Sequence, residues 1–161
     1  MLTLNSIAGA TECLEQTITY IKDRKVFGKR IADYDLTQER IATYWTRLQA
    51  VKSYAHYAIK LLNEKKLCRK EASLAKLNAT ELAIEVADKC LQMHGGYGYT
   101  TEFLPERWLR DLRLNTIGGG TTEIMARIAA KELLKLKNIK KNIFIYYSYN
   151  LQCPDLNSSQ L

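Results

Sequence analysis

The sequence predicts an all-α fold, an up-down four-helix bundle with a short extra helix, on three observations. Apolar residues recur at helical spacing through four long segments. No segment alternates convincingly with period two, as a half-buried strand would. Only two prolines and eight glycines interrupt 161 residues, too few for a loop-rich or low-complexity chain. Short connections between the long segments make sequential neighbours antiparallel.

The first segment runs from about Leu4 to Arg24, with Leu4, Ile7, Leu14, Ile18 and Ile21 on one stripe. A connector, Lys25 to Tyr34, follows. Asp35 stands three residues before Gln38, the spacing at which an N-cap carboxylate and an N3 amide satisfy each other's orphan N–H groups, so a helix is expected to start there. It carries Ile41, Trp45, Leu48, Ala55, Ile59 and Leu62 and fades at Asn63-Glu-Lys-Lys66. The third, from about Arg69 to Met93, repeats Ala72, Ala75, Ala79, Leu82, Val86, Cys90 and Met93. Its alanines allow neighbours to approach closely, which makes it the expected central helix. Leu104 to Leu112 reads as the short helix and Thr121 to about Leu136 as the fourth long one, with Thr121 as N-cap. Residues 1–136 are thus the expected bundle. Residues 137–161 form a divergent tail, aromatic and then polar from Asn142 onward, whose aromatics call for cover by the bundle or a partner.

At 47% hydrophobic and 25% charged, the chain can fill one globular core. No apolar run approaches the roughly 18 to 20 residues of a membrane span, and Met1-Leu-Thr-Leu4 lacks the basic region of a signal peptide. The expectation is a soluble intracellular protein, cytoplasmic or of the mitochondrial matrix. Cys13, Cys68, Cys90 and Cys153 lie far apart, with His56 and His94 the only histidines, so no metal site is expected and the cysteines read as reduced thiols packed as small apolar residues. The net charge of +7 is spread along helix faces, with one cluster at Lys131, Lys135, Lys137, Lys140 and Lys141. A nucleic-acid binder would gather that charge beside aromatic platforms, and none is expected here; a phosphate-bearing cofactor would suit the charge equally.

Two glycine clusters carry the functional signal. In Arg110-Asp-Leu-Arg-Leu-Asn-Thr-Ile-Gly-Gly-Gly-Thr-Thr-Glu-Ile124, three glycines open onto a helix whose first N–H groups lack intrahelical partners, a seat for an anion or cofactor. In Gln92-Met-His-Gly-Gly-Tyr-Gly-Tyr99, glycine ends a helix and redirects the chain. Together they suggest one composite site. Gly95-Gly96-x-Gly98 follows a helix and not a strand, which excludes a dinucleotide-binding turn. No nucleophile and base pair stands out, and His94 reads as a cationic contact at a helix C-terminus.

Four stretches, in order and spacing, nevertheless resemble one family. Arg24-Lys-Val-Phe-Gly-Lys-Arg-Ile-Ala-Asp-Tyr-Asp-Leu-Thr-Gln38, Gln92-Met-His-Gly-Gly-Tyr-Gly-Tyr99, Arg110-Asp111 and Gly119-Gly-Thr-Thr-Glu123 are similar to the C-terminal helical domain of the acyl-CoA dehydrogenases, over about Leu4 to Leu134. That resemblance implies FAD as cofactor and an acyl-CoA as substrate, oxidised at its α,β bond: a glutamate takes the α proton and the β hydride passes to the flavin. It implies FAD contacts from Arg24, Phe27 and Gln38, typically across a subunit boundary, from Gln92, Met93, His94, Gly95 and Gly96, and from Thr121, Thr122 and Glu123 at the start of a flavin-binding helix. It places the acyl-CoA at Gly119 and Gly120. It also implies a homo-oligomer, a dimer or tetramer.

Two departures follow from the same comparison of motifs. Many members have Tyr-Glu-Gly-Thr where this chain has Gly118-Gly-Gly-Thr121, so Gly119 replaces the usual catalytic glutamate and no catalytic residue is assigned. Members similar to the isovaleryl and long-chain enzymes supply the base from a Glu-Arg pair that, aligned on Tyr20 and Arg24, falls just before Met1. Glu12 and Glu15 lie more than two turns further on and read as surface residues. The N-terminal helical and β domains of the family are not in this sequence either. The expectation is therefore a C-terminal domain or shortened form contributing FAD contacts and self-association, inactive on its own. The competing reading is a non-catalytic interaction module derived from the same family.

Overall fold

The computed structural model describes residues 1–135. In it α1 (Leu2–Asp23) leads into a small hairpin of β1 (Lys25–Val26) and β2 (Lys29–Arg30), then a 3-10 turn at Ile31–Asp33. There follow α2 (Asp35–Asn63), α3 (Arg69–His94), a second 3-10 turn at Gly95–Tyr99, α4 (Leu104–Asn115) and α5 (Thr122–Lys135). The four long helices and the short extra one are those the apolar periodicity predicts. The tail, Leu136, Lys137, Lys140, Lys141 and Cys153 lie outside the described residues.

α3 is the hub. Leu82, Ala83, Val86, Ala87 and Cys90 on it are buried against Ala10, Cys13 and Leu14 of α1, Tyr44 and Leu48 of α2, and Leu112 of α4. Side chains as large as Leu14 and Leu48 each contribute about 1.5–3 kcal/mol by leaving water. Ile7 with Ala55 and Ala79 at one end, and Tyr20 with His94 at the other, show α1 and α3 running parallel with α2 antiparallel to both. Arg47 of α2 grips Glu85 of α3 through two 2.7 Å hydrogen bonds, an exposed pair worth under about 1 kcal/mol.

α4 returns along α1. Its Asn115 amide donates to Asn5 Oδ1 at 2.8 Å and Ser6 Oγ at 3.0 Å. Its Trp108 ring fills the notch left by Gly9, where a Cβ would stand 2.6 Å from the ring. The Trp108 indole N–H is buried without a hydrogen-bond partner. Cys13 and Cys90 are buried free thiols whose mutual hydrogen bond and burial push the Cys13 thiol up, and Cys68 is a free thiol at partial exposure.

Two local expectations are corrected. The Lys25 to Tyr34 connector contains paired strands, Lys25 opposite Arg30 and Val26 opposite Lys29, too short for alternation to register. Phe27 (φ 49°) and Gly28 (φ 83°) both take left-handed backbone, the geometry that joins strands in a two-residue turn. The reciprocal Asp35 and Gln38 cap does not form. Tyr34 is the N-cap, its carbonyl accepting from the N–H groups of Thr37 and Gln38, while the Gln38 amide donates back to the Ala32 carbonyl at 3.1 Å. The preceding 3-10 turn supplies that acceptor, which periodicity cannot show.

Candidate functional site: two clefts along the central helix

Arg24 ends α1 with its own N–H donated to Tyr20 and its carbonyl accepting from Ile31, so the hairpin springs from it and its side chain is free to lean outward. The guanidinium lies over the Tyr97 ring, 5.0 Å from the centroid. Tyr97 belongs to the turn that closes α3, and that turn is built on glycine for two different reasons. Gly95 has φ 61°, a conformation other residues rarely adopt. At Gly98 a Cβ would come within 2.5 Å of the Leu91 carbonyl. At Gly96 neither reason holds, since a Cβ there meets nothing within 4 Å.

These pieces form an open cleft of about 480 Å³ lined by Arg24, Gln92, Met93, His94, Gly95 and Gly96, with Val26 and Thr100 at its sides. Its floor is rigid. His94 stacks on Tyr20 at 4.1 Å between centroids, Phe103 meets both edge-on, and the Tyr20 hydroxyl donates to the His94 carbonyl at 3.4 Å. His94 Nδ1 pairs with the Cys90 carbonyl at 2.8 Å, and burial pushes the imidazole pKa below 6.5. The contact with a last-turn carbonyl is the one expected, but it is made by a neutral donor and not by a cation, because the ring is buried among aromatics. Gln38 faces a separate apolar groove with Ile18, Ile21, Ile41 and Trp45. Phe27 is 100% exposed at the hairpin tip and lines neither.

The second glycine cluster lies elsewhere. Thr121, Thr122 and Glu123 line a polar cleft of about 450 Å³ with Glu81, Ile84, Arg113, Thr116 and Ile117. Thr121 sits one residue before α5 as predicted; its hydroxyl accepts from the Ile124 N–H at 3.5 Å and, toward Glu123, holds that carboxyl below the ordinary range. The Thr122 N–H is already donated to the Thr116 carbonyl at 3.1 Å. With two of the first N–H groups taken and a carboxylate beside them, this helix start is a poorer anion seat than three glycines suggest. Gly119 (φ 62°) and Gly120 (φ 106°) form the loop, held from beneath by Lys76 of α3.

The composite site expected from the two clusters therefore does not form within one chain. The two clefts share no lining residue: α3 rises roughly 12 Å between Ile84 in the second and Gln92 in the first, at about 1.5 Å per residue, and α4, 12 residues long, carries the chain back from one toward the other. Tyr97 and Lys76 were not read from the sequence. Tyr97 lay hidden between the glycines, whereas Lys76 was marked by a charge set beside the alanine stripe.

A family model described as "Acyl-CoA dehydrogenase, C-terminal domain" matches residues 1–134. The chain belongs to the acyl-CoA dehydrogenase family. The caffeyl-CoA reductase-Etf complex subunit CarC of Acetobacterium woodii is 43% identical over 130 residues, 81% of this chain and 34% of that one. The mitochondrial short/branched chain specific acyl-CoA dehydrogenase of Bos taurus is 39% identical over 122 residues, 76% of this chain and 28% of that one. A glutaryl-CoA dehydrogenase from Mycobacterium smegmatis in complex with FADH2 superimposes with a TM-score of 0.80 at 29% identity, covering 86% of this chain and 36% of that one. This acyl-CoA dehydrogenase domain thus spans about a third of the length of the curated relatives it matches.

Proposed function

We propose that the chain is the FAD-contacting, self-associating C-terminal domain of an FAD-dependent acyl-CoA dehydrogenase, and that it does not complete the reaction alone. One observation carries the reading: Arg24 and Gln92 to Gly96, far apart in sequence, line one open cleft. The fit to a dinucleotide is physical. Arg24 presents a guanidinium suited to bidentate contact with a diphosphate, Gln92 is exposed beside it, and Gly96 leaves space that internal packing does not require. Bound FAD would supply the hydride acceptor for the β carbon. Met93 and His94, both buried, form the inner wall of the same cleft beside Gly95 and Gly96.

The separation of the two clefts supports self-association. Arg24, Phe27, Gln38 and the Gln92 to Gly96 wall would serve the cofactor of one subunit while Thr121, Thr122 and Glu123 face that of another. An apolar groove of about 420 Å³ between α1 and α2, edged by Trp45 and Gln38, adds surface that a second copy would cover.

Position 119 supplies no base for proton abstraction. Gly119 offers no carboxylate, and taking a proton beside a thioester needs one within hydrogen-bond reach. The position Gly119 leaves open faces the first turn of α1, where Leu2 lies. A base carried just ahead of α1, as in the isovaleryl-type arrangement, reaches the same place.

The test has three parts. Calorimetric titration of the isolated chain with FAD and ADP should show weak, salt-sensitive binding, and none at millimolar FAD would instead favour the non-catalytic interaction module. Light scattering should give a dimer or larger. The chain grafted onto the N-terminal two-thirds of a related enzyme containing the Glu-Arg pair should oxidise acyl-CoAs in a dye-linked assay. A graft that folds, holds FAD and stays dead would sink the proposal.

A further inference from the structure

The structure assigns Lys76 a positioning role: its ammonium sets the conformation of the Gly118 to Gly120 loop and so the surface that the loop presents to an acyl-CoA. This rests on the reading of the loop as the thioester's passage. Lys76 projects from the alanine-rich face of α3 and is only 8% exposed. Its Nζ donates to the Gly118 carbonyl at 2.6 Å and also to the Gly120 carbonyl. A cation held out of water is costly, and a methionine of similar length would fill the same space without that cost. The lysine's effect is therefore on geometry more than on stability, and desolvation lowers its pKa in keeping with that cost.

Three consecutive glycines have more backbone states than any other tripeptide, so holding them in one conformation carries a large entropic cost. The loop is tied at its ends by Gly118 N–H to Leu114 and Thr122 N–H to Thr116. Between those ties Lys76 binds the carbonyls on both sides of Gly119. Peptide units are planar and trans, so drawing those two carbonyls inward turns the N–H groups of Gly119 and Thr121 to the opposite side, away from α3. One buried ammonium thus orients two donors, on either side of Gly120, toward the open face. The Arg24 cleft, at the other end of α3, takes no part in this.

The experiment uses the chain labelled with 15N, as wild type and as Lys76→Met, with amide relaxation at Gly118 to Gly120 and titrations with butyryl-CoA and with ADP. In the wild type the loop amides should show order parameters near the rigid value of about 0.85, falling below about 0.6 in the variant. Butyryl-CoA affinity should fall about tenfold or more as the Gly119 and Thr121 N–H groups lose their fixed orientation, the loss of one to two neutral hydrogen bonds, with ADP affinity and thermal midpoint unchanged. A loop that stays rigid, or affinities for both ligands that fall together with the midpoint, overturns the assignment. If the wild type binds no butyryl-CoA, the acyl-CoA reading of the loop fails while the order parameters still decide whether Lys76 orders it. If Lys76→Met does not fold, Lys76→Gln and the wild-type ammonium signal take its place. A protected, slowly exchanging Lys76 ammonium supports the assignment, and a freely exchanging one refutes it.

Discussion

The Cδ1 methyl of Leu2 lies 3.1 Å from the point where a Cβ on Gly119 would stand. Residues far apart in the chain are thereby neighbours, and the first turn of α1 closes the side of the loop that a glutamate side chain would occupy. With φ 62° at Gly119, two separate obstacles oppose any larger residue: a strained backbone and the Leu2 methyl. Position 119 and the start of α1 therefore share one space, and only one of them can place a carboxylate in it.

Gly119→Glu should accordingly restore no activity to the isolated chain and should lower its stability by about 1–3 kcal/mol, the cost of a side chain in left-handed backbone plus displacement of Leu2. Denaturant unfolding and dye-linked turnover read the two effects separately. Turnover by the unmodified chain or by this variant would contradict the account.

Arg24→Ala should weaken ADP and FAD binding by about 1.5–3 kcal/mol, the range for a hydrogen bond to a charged group, and flatten the dependence on salt. Its fold should persist, because the Arg24 backbone bonds to Tyr20 and Ile31 do not need the side chain. Calorimetry at two salt concentrations, beside circular dichroism, checks both halves.

Gly96→Ala and Gly98→Ala should behave in opposite ways. At Gly98 the obstacle is the Leu91 carbonyl, backbone that cannot rotate aside, so alanine should cost about 1–3 kcal/mol. At Gly96 nothing stands within 4 Å, so stability should stay within about 0.5 kcal/mol while FAD affinity drops. Equal thermal midpoints for the two variants would show the turn to be looser than described.

The pH dependence of stability should carry a signature of His94. Burial holds its folded pKa below 6.5, so in the window beneath that value the unfolded chain binds more protons than the folded one. The stabilisation is complete above 6.5 and is lost as pH falls through the folded value. Between pH 7 and 5 the unfolding midpoint should fall, and His94→Gln should flatten that slope. Asp33, Glu64, Glu85 and Glu106, all with lowered pKa values, act only at lower pH.

The helices were legible because their burial is periodic: the Ala75, Ala79, Leu82, Val86 and Cys90 stripe is the core face of α3 as found. The Lys25 to Arg30 hairpin was not, since two-residue strands have no period and their only mark is Phe27-Gly28. The Arg24 cleft was legible through the family's motifs. What the sequence hid was distance. Gly96 and Gly118 look adjacent along the chain, and only the antiparallel return of α4 separates them. Lys76 was missed for a related reason, because its partners are backbone carbonyls, which every residue has.

The Gly9 and Trp108 contact makes the two positions mutually dependent. A ring seated 2.6 Å from the place of a missing methyl leaves no room for alanine, so Gly9→Ala alone should misplace α4, whereas Gly9→Ala combined with Trp108→Leu should be tolerated. Since the Trp108 indole N–H is buried without an acceptor, the double change also removes an unmet polar group. Substitution at either site is thus conditional on the other, and in natural sequences of this domain bulk at the two positions should be exchanged between them and not varied independently.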